Sequence, residues 1–138
     1  MKYSAMLFPV FALAFLTFGI GIWLGALRLA AVKRGDINPC YYALNQGAEP
    51  PDYLIKVSQN YDNLLALPVL FYVLSALLLI TGKVNAIQVI LAWAFVGTRF
   101  IHSYIHTTYN NVTHRMRAFM SGVVILITMW VLFFVSSL

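Results

Sequence analysis

The sequence predicts an all-α integral membrane protein, an antiparallel four-helix bundle. Three observations predict it. First, only 9% of the 138 residues are charged and 62% are hydrophobic. An ordinary soluble domain carries about 25% charged residues, so this chain cannot build a water-solvated surface. Second, four apolar stretches are each long enough to cross a hydrocarbon core of about 30 Å, which takes roughly 20 helical residues. Third, these stretches are continuous, whereas the strands of a membrane barrel alternate over segments of about ten residues.

The first stretch, residues 3–27, is uncharged. With Lys2 ahead of it, it resembles a signal peptide, but it outruns an apolar signal core of about 7–15 residues. No small-x-small cleavage site follows it, and three further spans do. A helix is expected over 4–32. The second apolar stretch, 63–82, is led by the polar segment KVSQNYDNLLALP, which extends the expected helix to 54–82. The third, uncharged from 84 to 98, continues through Arg99 and two histidines to 107. The fourth, uncharged over 118–138, is expected as a helix over 115–137. Pro9 and Pro68 fall inside spans and are expected to kink them. The loop KRGDINPCYYALNQGAEPPDY, rich in Gly, Pro and Asn, is the only sizeable connection. The other connections are tight, so the helices should run up-down-up-down within one domain. Tyr3 and Trp130 are expected to mark one membrane interface. Cys40 is the single cysteine, so no intramolecular disulfide is available.

Charge is crowded at one end. Four spans put Arg28, Lys33, Arg34, Lys56, Arg99, Arg115 and Arg117 on one side and Lys2 and Lys83 on the other. The acids Asp36, Glu49, Asp52 and Asp62 join the larger group. The positive-inside rule places the crowded end in the cytoplasm and both termini on the opposite side. The net charge of +5 is explained by this topology signal and calls for no nucleic-acid partner.

Two polar stripes reach that end. Arg99, His102 and His106 fall within about 60° of one another at helical spacing. Lys56, Gln59, Asn60 and Asn63 share an arc about 100° wide on the preceding span. A multiply polar face turned to hydrocarbon costs several kcal/mol, so both stripes should face a partner helix or water. With Arg28 on the first helix and Arg115 on the fourth, four helices are expected to line one donor-rich pocket. Such a pocket suits an anionic, hydrogen-bonding ligand from water, with a lipophilic co-substrate arriving from the bilayer. The competing readings are plainer. Arg99 could snorkel to the interface, and Asn63 could serve as helix–helix glue. His102 and His106, one turn apart, could ligate a metal. Three histidines are too few for an HxxxH di-iron set, and two on one helix turn hold a haem poorly, so no metal is expected. A transporter is disfavoured because no discontinuous helix or paired Gly/Pro break appears.

The segments NLLALPVLFY (63–72) and AFVGTRFIHSYIHTTYNNVTHRMRAF (94–119) resemble the MAPEG family, membrane-associated proteins in eicosanoid and glutathione metabolism. The resemblance covers nearly the whole chain and looks like that of a bacterial-type member. It implies a homotrimer that binds glutathione as co-substrate between subunits near the cytoplasmic face. Residue by residue, it implies glutathione contacts at Asn63, Arg99 and His102. Arg115 matches the arginine that stabilises the thiolate, with Arg117 as the second choice. His106 stands where many members have Tyr, and Arg28 matches a first-helix basic position. One departure matters: Ala66 stands where the family usually has Glu, three residues after the Asn. Asp62, one turn earlier and about 40° round the helix, is the candidate replacement.

The resulting expectation is a glutathione-dependent transferase or peroxidase. Arg115 and His106 would act in catalysis. Arg28, Lys56, Gln59, Asn60, Asn63, Arg99, His102 and Arg117 would hold glutathione. Arginines pair with carboxylates and favour thiolate over thiol, and the thiolate would attack a lipophilic electrophile or hydroperoxide. The alternative is a non-catalytic lipid-binding or scaffold member, which Ala66 favours.

Overall fold

The computed structural model describes residues 2–138, with side chains from residue 4 onward; Tyr3 and Lys2 as interface or topology markers therefore lie outside the described side chains. Six helices follow one another: α1 (Lys2–Arg34), α2 (Tyr41–Leu44), α3 (Asp52–Ala66), α4 (Pro68–Ile80), α5 (Ala86–Thr107) and α6 (Val112–Val135). Four spans are long and apolar enough to cross a membrane: Ser4–Arg34, Asp52–Ile80, Ala86–Thr107 and Val112–Val135. The described residues hold no strand, so the chain is an all-α membrane bundle.

The second span is made of two helices. Pro68 has no N–H to donate, and its ring crowds the carbonyl one turn back. The regular ladder therefore stops at Leu67, which keeps right-handed helical angles (φ −56°, ψ −40°). A tighter bond from Leu70 N–H to Leu67 O, 3.1 Å, bridges the gap. Pro9, by contrast, lies within an unbroken α1. The short α2 lies inside the first loop, where the sequence showed only turn residues.

Side chains and left-handed residues set the ends of the spans. Asn85 caps α5 by accepting from Gln88 N–H at 2.9 Å. Asn111 caps α6 by accepting from His114 N–H at 3.1 Å. Such caps each contribute about 1 kcal/mol. Asn110 adopts φ 48° and donates its N–H to Ile105 O at 2.8 Å. That turn reverses the chain within four residues and lays α6 antiparallel on α5. At the opposite end, Lys83 Nζ donates to Ser136 O and Ser137 Oγ, each at 2.8 Å.

The core runs along the middle of the bundle. Phe71 on α4 stacks on Phe95 of α5 at 4.9 Å between centroids, among Leu13, Leu74, Ala92, Leu126 and Met129. The outward face of α1 carries Phe8, Phe11, Phe15 and Phe18, all exposed, as suits a helix bathed in lipid or packed on a neighbour. The α5 helix is central and touches α1, α3 and α6. The α6 helix touches α5 and α4, but among the described residues it makes no close backbone approach to α3 or α1. At the α3 end of the bundle, α6 therefore leans on α5 alone.

Phe71→Ala removes packing that lipid cannot refill and should cost about 3 kcal/mol. It should clearly lower the thermal midpoint of the detergent-solubilised protein. Phe15→Ala, at a side chain that is 72% exposed, should leave the midpoint nearly unchanged. Equal effects from the two would contradict this assignment of core and lipid face.

Candidate functional site

The end of the bundle built from α3, the C-terminal half of α5 and the start of α6 holds most of the buried polar groups. Arg99 is only 1% exposed and lies about 12 Å inside the end of α5. Its Nη2 donates to Ala118 O at 3.0 Å and Phe119 O at 3.2 Å, both on α6. Its guanidinium sits between the rings of Phe95 and Phe119, at 5.4 and 5.3 Å. Each carbonyl keeps a second lone pair for its own helix. Gly122 makes room for this arrangement: a Cβ there would collide with Arg99 Nη2 and would lie 2.7 Å from Thr98 Oγ1. Arg99 thus turns into the bundle and does not snorkel to the interface. It joins α5 to the backbone of α6.

One turn on, His102 Nδ1 lies 3.2 Å from Arg115 O. A further turn on, His106 Nε2 accepts from Arg115 Nη1 at 3.3 Å. The same Nη1 donates to Asn110 Oδ1 at 2.7 Å. The two imidazoles meet edge to face at 5.6 Å. Asn60 is fully buried between α3 and α5, where its Oδ1 accepts from Ser103 Oγ at 3.0 Å.

Because α6 stands off α3, a cleft of about 240 Å³ opens between them, lined by Asn63, His102, Val112, Arg115, Met116 and Phe119. It offers a half-buried guanidinium, an amide and an imidazole against an apolar wall. Across α3 lies a larger cavity of about 490 Å³ beneath the first loop. Arg28, Gln59 and Asp62 line it with Ser58, Glu49, Tyr41 and Tyr42. There Arg28 Nη2 donates to Ser58 Oγ at 3.2 Å, and its guanidinium lies over the Tyr42 ring at 5.2 Å. The only ion pair among the described residues is Arg34–Asp36, so Arg28, Glu49 and Asp62 face one cavity without neutralising one another.

The single pocket expected from four helices is therefore divided. Asn63, His102 and Arg115 share the cleft, with His106 behind Arg115. Arg28 and Gln59 share the larger cavity. Lys56 faces a separate cavity with Trp23, Tyr53 and Thr107, and Arg117 points outward, exposed. A polar arc of about 100° on α3 spreads over these environments because α1 packs on one flank of that helix and α5 on the other. Sequence reasoning missed Asn110, which holds the Arg115 side chain, and Gly122, whose place in an otherwise apolar run of α6 was its only signal.

The sequence model of the MAPEG family matches residues 6–135. The chain belongs to the MAPEG family. No curated protein and no solved structure matches it. MAPEG members include glutathione transferases, peroxidases and non-catalytic proteins, and members generally use glutathione. Its four apolar spans and its family mark a multi-pass membrane protein. Within this MAPEG chain, Ala66 is exposed and lines neither the cleft nor the larger cavity. Asp62 lies on the Arg28 side of α3, away from Arg115.

The fit between Arg99 and Gly122 predicts that Gly122→Ala displaces the guanidinium from its carbonyls and costs about 1–3 kcal/mol. The check is the thermal midpoint, compared with Gly25→Ala, where an added Cβ meets nothing within 4 Å. Equal midpoints for the two variants would overturn the role given to Arg99.

Proposed function

We propose that the protein is a glutathione-dependent transferase or peroxidase acting on lipophilic substrates, with the thiol bound in the cleft between α3 and α6. The supporting observation is the half-buried Arg115 guanidinium, held by Asn110 and His106 and lining a cleft together with the apolar Met116 and Phe119. A fixed cation beside an apolar wall favours a thiolate and leaves room for an apolar electrophile. Attack on carbon forms the S–C bond and expels the leaving group. Attack on a hydroperoxide oxygen forms an S–O bond and releases the alcohol, and a second glutathione then displaces water to give the disulfide.

The cleft is smaller than the roughly 300–1,000 Å³ that encloses a drug-sized ligand, so the rest of the tripeptide must extend beyond it. Gln59 and Asn63 are one turn apart on α3. A peptide laid across them would bring its carboxylates toward Arg28 and its ammonium toward Asp62, which takes the part of the family's missing Glu. The remaining wall would come from neighbouring subunits in a homotrimer. The positive-inside rule puts this end in the cytoplasm and both termini opposite.

The second reading is a non-catalytic lipid-binding or scaffold member, and the exposed apolar Ala66 favours it. Glutathione titrated into detergent-purified protein, followed by turnover with an aryl halide, separates the two. The enzyme reading expects saturable binding, turnover that falls about 10²-fold in Arg115→Ala, and binding weakened about tenfold in Asp62→Asn, the worth of one charge-assisted contact. Binding without turnover, or affinity gained only in Ala66→Glu, would support the scaffold reading. No binding at all would end the glutathione reading.

A further inference from the structure

The cleft contains a thiolate stabiliser, but an arginine cannot remove the proton. Guanidinium is a donor only and stays charged in proteins. The other groups lining the cleft are an amide, three apolar side chains and His102. We infer that His102 is the general base of the cleft, taking the thiol proton at Nε2. This rests on the glutathione reading above and adds the residue that generates the nucleophile.

The argument is one of tautomers. His102 Nδ1 faces Arg115 O at 3.2 Å, and a carbonyl can only accept. In the neutral ring the hydrogen is therefore on Nδ1 and the lone pair on Nε2. That Nε2 is buried and has no hydrogen-bond partner in the protein. An unpaired buried polar atom is costly, and His102 lines an open cleft, so the free lone pair points to a group that arrives from outside. His106 does not fill this role. Its Nε2 lone pair is already used by Arg115 Nη1, which leaves Nδ1 as the protonated nitrogen. Arg115 thus sets both partners: its carbonyl fixes the tautomer of the base, and its guanidinium faces the anion that the base creates.

In the step itself the S–H bond breaks, its electron pair stays on sulfur, and an N–H bond forms at His102 Nε2. The imidazolium then returns the proton to the leaving group or to the alkoxide of the cleaved hydroperoxide. The charged or titratable groups around His102 are Arg99 and His106 on α5 and Arg115 on α6; α3 contributes the uncharged Asn63. None of these groups is a carboxylate, so the thiolate itself is the counter-charge beside the imidazolium formed with it.

His102→Asn is the diagnostic variant, because the amide keeps a donor toward Arg115 O and removes the Nε2 lone pair. S-methylglutathione, which has no thiol, should bind this variant within about threefold of wild type, while kcat with an aryl halide falls about 10²-fold. The ultraviolet thiolate band seen with bound glutathione should be lost, and Phe15→Ala, on the exposed face of α1, should retain it. Nitrogen NMR of histidine-labelled wild-type protein needs no variant: one imidazole nitrogen should become protonated on adding glutathione and not on adding S-methylglutathione. A full thiolate band in His102→Asn, or unchanged histidine signals in a wild-type protein that binds glutathione, would overturn the assignment of the base alone. A wild-type protein that binds neither peptide would remove the glutathione reading together with it.

Discussion

A guanidinium inside a membrane bundle, with no carboxylate beside it, is the constraint from which the rest of this molecule follows. Arg99 meets it with two backbone carbonyls of α6 and two aromatic faces. Left uncompensated, the charge would cost several kcal/mol at that depth. The compensation is possible only where α6 comes close enough for its carbonyls to be reached, and Gly122 supplies that approach. The result is directional. The α6 helix is drawn onto α5 along its polar half, and α3 is left facing it across open space. The cleft is the consequence of satisfying Arg99 elsewhere.

The groups left in that space divide the work. Arg115 is braced from behind by Asn110 and His106, so its charge is aimed without being neutralised. His102 is turned by the carbonyl of the same residue. On the far side of α3, Arg28 and Asp62 face one cavity without forming a pair, an arrangement that suits a ligand carrying both signs of charge. One helix thus separates a cleft of about 240 Å³ from a cavity of about 490 Å³. The exposed aromatic face of α1 and the openness of both cavities are consistent with further walls from neighbouring copies.

The four spans were legible in the sequence because lipid admits only helices and closed barrels, and long unalternating apolar runs exclude the barrel. A kink at Pro68 was legible because proline lacks an N–H, but the division of the second span into two helices was not: the sequence suggested one continuous helix over 54–82. Asn63, His102 and Arg115 could be placed at one depth because antiparallel helices bring the start of one span beside the end of another. Two further things were hidden. Backbone carbonyls leave no mark in a sequence, so nothing announced that Arg99 would donate to the backbone of α6. A helical arc, too, records angle and not neighbours: Lys56, Gln59, Asn60 and Asn63 share a stripe, yet α1 and α5 on its flanks send them to different surroundings.

The central claim is that the space between α3 and α6 is wet, although it lies among apolar side chains. In a Cys40→Ser background, Met116→Cys and Val124→Cys can be treated in intact membranes opened to both sides with a charged maleimide. The two native side chains are almost equally exposed, 61% and 60%, but only Met116 lines the cleft. The account predicts rapid labelling of Met116→Cys, slowed by glutathione, and none of Val124→Cys. Silence at both positions would mean that acyl chains fill the cleft, and the account would be wrong.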